Sequence, residues 1–187
     1  AVWTLAFRRA DNDFGRVQQA LTADRERVLA FLRAQGFTDD EIDARPLQVQ
    51  DLLAREYGPD QVALRFNGRG QVVVKSARVD LVAASSNRVD PLIEAGIQLG
   101  GEGGDGAPLY QLRGFNDVKP MLLEEATLSA REQARRFAAD AGARLGALRS
   151  ANQGTIRILD DDGSEMDSSR TIGKRLRVVS TFEFTLD

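Results

Sequence analysis

Residues 130–146, Ala-Arg-Glu-Gln-Ala-Arg-Arg-Phe-Ala-Ala-Asp-Ala-Gly-Ala-Arg-Leu-Gly, set small side chains at helical spacing and close on two glycines. Leu122, Ala126, Ala130, Ala134, Phe137, Ala141 and Leu145 follow in steps of three or four, which lays them along one stripe of a helix. Arg131, Glu132, Arg135, Arg136 and Asp140 fall on the other face and are expected to be wet. A stripe built mostly of alanine, with Phe137 as its one large ring, lets the helix axis approach a sheet closely. Gly142 stands where such a helix stops, because glycine enters the left-handed conformation of a C-terminal cap without a Cβ penalty. On this reading Phe137→Ala costs about 3–5 kcal/mol, and Arg136→Ala is nearly silent. The stretch is a packing signature, not a catalytic one.

Upstream, Val2 to Arg8 alternates, with Trp3, Leu5 and Phe7 on one face, the pattern of a half-buried strand. A helix follows, capped by Asp11 or Asn12, with Phe14, Val17, Leu21, Val28 and Leu32 sharing a face and Gly36 as its stop. Thr38-Asp-Asp-Glu41 has the spacing of a capping box and starts a single turn before Pro46, and Leu47 to Asp51 begins a second strand. From Val62 to Val74 two readings compete. Asn67-Gly68 fits the tight turn of a hairpin, yet Val62, Leu64, Phe66, Gly68, Gly70, Val72 and Val74 alternate without a break. The alternation favours one long strand whose two inner glycines leave room for something to cross closely.

Ser76 caps the next helix, which Pro91 divides or kinks and Gly96 ends. A strand is expected near Leu109 to Phe115, the opening helix after Lys119-Pro120, and a strand from Ala147 to Asn152 that continues as Ile156 to Leu159 beyond a break at Gly154. Leu176, Val178, Ser180, Phe182, Phe184 and Leu186 form the cleanest strand in the chain. The fold class is α+β, with curved, mostly antiparallel sheets and three main helices packed on one face.

Composition works mainly by exclusion. The 187 residues are 42% hydrophobic, enough for a real core in one domain or two small subdomains. The 25 basic and 28 acidic residues are interspersed and sum to a net charge of −3, so no field attracts a polyanion and no nucleic-acid partner is expected. With no His and no Cys, there is no thiol nucleophile, imidazole base, common zinc site or Ser-His-Asp triad. No run of about 18 apolar residues spans a membrane. The chain opens Ala-Val-Trp-Thr-Leu-Ala-Phe, already in strand-like alternation, which suggests a form cut from something longer with any export signal upstream of Ala1.

Weighed one by one, the candidate sites fall away, and no catalytic, cofactor-binding or metal-ligating residue is assigned. Gly100 to Gly106 invites a phosphate-loop reading but lacks the Lys-Ser/Thr ending and leads to Pro108 and a strand, so a mobile loop is expected. The acidic turn Asp160 to Asp167 fails the calcium-loop register, since Ile158 stands where a ligand is needed four positions before Asp162, and a solvated hairpin turn is expected. Glu124 with Glu125, and Asp39 and Asp40 with Glu41, are neighbours that do not converge on one point. Trp3, Tyr57 and Tyr110 are too scattered for a stacking platform.

The pattern Ala130-x3-Ala134-x2-Phe137-Ala138-x2-Ala141-Gly142-x2-Leu145-Gly146 before a strand resembles the hallmark of SIMPL domains. Phe31-Leu-Arg-Ala-Gln-Gly36, Val72 to Val74 followed by Asp80-Leu-Val82, Leu92-Ile-Glu-Ala-Gly96 and Val178 to Phe184 extend the resemblance over nearly the whole chain. It implies a single SIMPL-like domain over residues 1–187 that lacks an upstream signal peptide and one first strand, leaving an early sheet edge uncovered. It implies an exported periplasmic or envelope-associated bacterial protein linked to oxidative-stress defence, forming homo-oligomers, with no enzymatic activity and no cofactor. A small-molecule or peptide binding module using a groove between helix and sheet is the alternative function.

Overall fold

The computed structural model describes residues 1–54, 63–100, 106–166 and 169–187. Backbone contacts divide the chain into two compact units, Ala1–Tyr110 and Gln111–Asp187. The first contains β1 (Val2–Asp11), α1 (Phe14–Ala34), β2 (Ile42–Ala44), β3 (Gln48–Asp51), β4 (Phe66–Lys75), α2 (Val79–Ser86) and α3 (Asp90–Glu94). The second contains α4 (Phe115–Asp140), β5 (Leu145–Asp160) and β6 (Lys174–Leu186). Among the described residues every strand pairing is antiparallel and neither sheet closes into a barrel, so the class is α+β.

In the first unit the alternation of β1 decides what is inside. Trp3, Leu5 and Phe7 are buried and meet Val17, Leu21, Val28 and Leu32 of α1 and Val72 and Val74 of β4 in one core. The strand β4 is continuous through Asn67-Gly68. It pairs with β1 from Val2↔Lys75 to Asp11↔Phe66, and carries β2 and β3 on its other edge. The inner glycines do make room. A Cβ on Gly68 would stand 2.5 Å from Leu21 Cδ1 and 2.6 Å from Val17 Cγ1, and one on Gly70 would stand 2.3 Å from Phe7 Cε2 and Cζ. All of these distances lie far inside van der Waals contact, so the helix and the Phe7 ring can seat only because these positions have no side chain. Val62 lies outside the described residues, and Leu64 precedes the strand and is exposed.

Local chemistry moves several boundaries. Asp13, not Asp11 or Asn12, caps α1 by accepting from the Arg16 N–H at 3.0 Å. The other two are engaged elsewhere: Asp11 accepts from the Asp13 N–H, and Asn12 from the Arg65 N–H. Phe14 opens the helix half-exposed and edge-on to Phe66. Thr38 and Glu41 form the expected capping box, but the chain then continues into β2, which hydrogen-bonds to the far edge of β4. Ser76 accepts from the Arg78 N–H just ahead of α2, and Pro91 stands in the first turn of a separate α3. The strand expected from Leu109 to Phe115 is reduced to a single bridge between Leu109 and Val2. A second bridge joins Leu99 to Phe7, so the outer edge of β1 is met at two points.

α4 begins at Phe115, ahead of Pro120 and not after it. Gly114, at φ +71°, turns the chain into the helix, and Pro120 sits one turn in, where its missing N–H leaves the exposed Asn116 carbonyl to water. At the other end Gly142 adopts φ +69° directly after the Ala141 cap, as expected. The stripe between them differs from the expected one. Leu122, Ala126, Ala130 and Ala134 are half-buried, and the next buried residue is Ala138, while Phe137 is 73% exposed and Ala141 is exposed. Steps of four drift by about 40° each around a helix of 3.6 residues per turn. The contact line therefore winds away from the straight stripe and passes Phe137 by, and the large stability cost expected of Phe137→Ala is withdrawn.

β5 runs unbroken from Leu145 to Asp160 and pairs with β6 from Leu145↔Leu186 to Asp160↔Lys174. The break expected at Gly154 is a bulge, one of three register shifts, all of them extra residues in β5. Gly146, the second glycine of the motif, lies where a Cβ would come 2.2 Å from Thr185 Oγ1.

Candidate functional site

Reactive chemistry requires ionisable groups that converge, and the most buried carboxylates of the first unit, Asp24 and Glu41, are instead bound to arginines. Arg9 continues the inner row Trp3, Leu5, Phe7, and Asp24 stands on the inner stripe of α1 between Leu21 and Val28, 1% exposed. The Arg9 guanidinium donates Nη2 to Asp24 Oδ1 at 2.8 Å and Nε to Oδ2. That hydrogen-bonded carboxylate raises the Arg9 pKa against the opposing effect of burial. This pair escaped the expectations above, although both halves show in the sequence: Asp24 fills the gap in the α1 stripe, and Arg9 is in phase with Phe7.

Glu41 is a second hub. Its Oε1 accepts from Ser76 Oγ at 2.6 Å and Arg78 Nε at 3.1 Å, and its Oε2 from the Thr38 N–H at 3.0 Å and from Arg78 Nη2. Arg78 above all, then Ser76, lowers the Glu41 pKa from 4.5 to about 2. Because the folded value lies below the unfolded one, this cluster stabilises the fold above pH 4.5 and loses its contribution as pH falls toward 2. Arg78 is 48% exposed, so screening reduces the contribution to about 1–2 kcal/mol. Thermal melts of Glu41→Gln are expected to show a flatter dependence of Tm on pH across that acid range than the parent. Parallel curves would remove Glu41 as the acid-labile group.

The other candidates do not assemble. Asp39 pairs with Arg33 and Asp40 is exposed, so the Asp39 to Glu41 carboxylates serve different partners. Glu124 and Glu125 are exposed on α4, and Arg136 pairs with Glu132 one turn away. Trp3 is core, its Nε1 donating to the Gly106 carbonyl at 2.9 Å, and Tyr110 is buried. Residues 101–105 of the glycine run, Tyr57 and Asp167 lie outside the described residues. Among the described residues no three acidic groups gather as a metal site.

The acidic turn departs from the solvated hairpin turn expected, because its first residue is wholly buried. Asp160 accepts at Oδ1 from Lys174 Nζ, Thr171 Oγ1 (3.0 Å) and the Thr171 N–H (3.3 Å), and at Oδ2 from the Arg170 N–H (3.1 Å). Lys174 is only 6% exposed. The pair closes the end of the β5–β6 hairpin.

What the second unit offers to solvent is apolar surface and strand edge. Of its described apolar residues only Ala138 and Leu159 are fully buried, whereas Met121, Leu128 and Phe137 of α4, Leu148 of β5, and Val179 and Leu186 of β6 are exposed. α4 lies on a two-stranded sheet, neither outer edge of which pairs with another strand among the described residues, and edges of this kind carry unpaired backbone donors and acceptors. The fold is that of an α+β protein. The family model SIMPL, described as a protein of unknown function (DUF541), matches residues 1–175, and the chain belongs to that family. No curated protein matches the chain. Among the described residues no helix is long and apolar enough to cross a membrane.

Proposed function

We propose that this chain is a non-enzymatic protein of the bacterial envelope or periplasm that acts by self-assembly, in the setting of oxidative-stress defence. The observation that carries assembly is the apolar surface of the second unit, with Phe137 73% and Leu128 61% exposed on one helix and Val179 52% exposed on the hairpin. Surface of this kind on a soluble protein marks an interaction site, and an open strand edge beside it supplies backbone donors and acceptors for a partner. The absence of His and Cys from the whole sequence supports the non-enzymatic part, and the family resemblance supports the location and the stress link. Light scattering on the chain across micromolar concentrations is expected to show a defined oligomer whose population grows with concentration. A strict monomer throughout that range overturns the proposal.

A further inference from the structure

The two open edges of the β5–β6 hairpin differ. All three register shifts fall in β5, so its outer edge is interrupted, and bulges of this kind protect an edge from pairing. β6 is regular over its 13 residues, alternating half-buried and exposed from Lys174 to Glu183, with no proline and no bulge. Its free edge is thus an unprotected template.

We infer that β6 pairs antiparallel with β6 of a second copy about a two-fold axis at Val179, joining two hairpins into one four-stranded sheet. The inference rests on the self-assembly reading and names its surface. Its basis is that β6 is complementary to itself in this register. On the exposed face Val179 meets its own copy, Arg177 meets Thr181, and Arg175 meets Glu183, twice over by symmetry. On the half-buried face Leu176 meets Phe182 and Val178 meets Ser180. A shift of one residue would put opposite faces together and lose every one of these matches.

The charges are also accommodated in this register. Arg175 and Arg177 share one carboxylate, that of Glu165, at 3.6 and 3.0 Å, which leaves a surplus positive charge at this end of the strand. Glu183 has no ion pair among the described residues, and a two-fold axis at Val179 brings it to that surplus. Backbone direction agrees as well. The Val179 carbonyl points to β5, since a Cβ on Gly154 would stand 2.5 Å from it. On the free edge Val179 is therefore a non-hydrogen-bonded position, the kind at which paired residues stand closest. Because the axis is normal to the sheet, both copies keep α4 on the same side, and the product is two helices on four strands, a layer arrangement able to bury a core.

The chain has no cysteine, so single substitutions report position cleanly. Val179→Cys is expected to form a disulfide-linked dimer under mild oxidation. Thr181→Cys, also exposed but about 13 Å from its own copy in this register, should crosslink far more slowly. Glu183→Arg should weaken the dimer by on the order of tenfold, since like charges then face each other at two places. Adding Arg175→Glu to it should restore assembly. Equal crosslinking at the two positions, or an assembly indifferent to Glu183→Arg, overturns the β6 pairing. If an oligomer persists under those conditions, self-assembly stands and uses another surface. A strict monomer of the unsubstituted chain removes both.

Discussion

An Asp160→Ala variant is expected to lose about 3–5 kcal/mol of stability in the unit formed by α4, β5 and β6, because it takes the carboxylate out of a buried charge pair. Two costs combine. The Lys174 ammonium, 6% exposed, loses the carboxylate it faces, and the Arg170 and Thr171 N–H groups lose the acceptor that fixes the turn. Asp160→Asn retains the shape and one carbonyl oxygen, and should recover the hydrogen-bond part, about 1–3 kcal/mol, but not the ionic part. Replacing both charges, as Asp160→Ala with Lys174→Met, should be milder than Asp160→Ala alone, since the ammonium is then removed together with the carboxylate it faces. Probe choice matters. The single tryptophan, Trp3, belongs to the other unit, so a probe within α4, β5 and β6 is the one to use. Hydrogen exchange at the amides of β5 and β6 reads it directly. Protection in Asp160→Ala equal to that of the parent would show that the pair does not hold the hairpin closed.

Asp160 also marks where sequence reading stops. A run of aspartates before a glycine looks like a turn, and Asp161 to Met166 do lie outside the strands, in bends. Nothing in the run says that its first member turns inward, because that depends on a lysine 14 positions away whose register is set by the hairpin. The legible elements were those whose pattern is purely local. The alternation of β1, β4 and β6 places Trp3, Leu5 and Phe7, Gly68 and Gly70, and Leu176 to Phe184 on the correct faces. Gly142 ends α4 as its position indicated. The stripe of α4 was half legible. Ala134 can be followed by Phe137 or by Ala138, two positions separated by about 100° around the axis, and only the crossing of helix over hairpin chooses between them. Hydrophobicity argues for the ring, yet the structure seats the alanine, because close approach of helix to sheet favours the smaller side chain. What remains outside, Phe137, is part of the surface on which the proposed assembly rests. The β6 register was in the sequence throughout, but it has meaning only once the structure shows which edge is open.

In the first unit the largest effect is expected where Phe7 crosses Gly70. The two are register partners on β1 and β4, and the fully buried ring occupies the space a Cβ at position 70 would take. Phe7→Ala should cost about 3–5 kcal/mol as a core truncation with an incompletely collapsed cavity. Gly70→Ala should cost about 1–3 kcal/mol for the opposite reason, since the new methyl group forces the ring or the strand to move. The two changes are then partly compensating. A Cβ at position 70 fills part of the space that Phe7→Ala empties, so the double variant should be more stable than the sum of the single losses by about 1 kcal/mol or more. Leu47 limits the relief, because its Cδ2 would stand 2.9 Å from the same Cβ. Denaturant unfolding followed by Trp3 fluorescence reports this unit, Trp3 being buried four residues away on the same face of β1. Additive losses would mean that the ring and the glycine do not compete for one volume. In that case the physical reason for a long β4 with two inner glycines, in place of a hairpin at Asn67-Gly68, would have to be sought elsewhere.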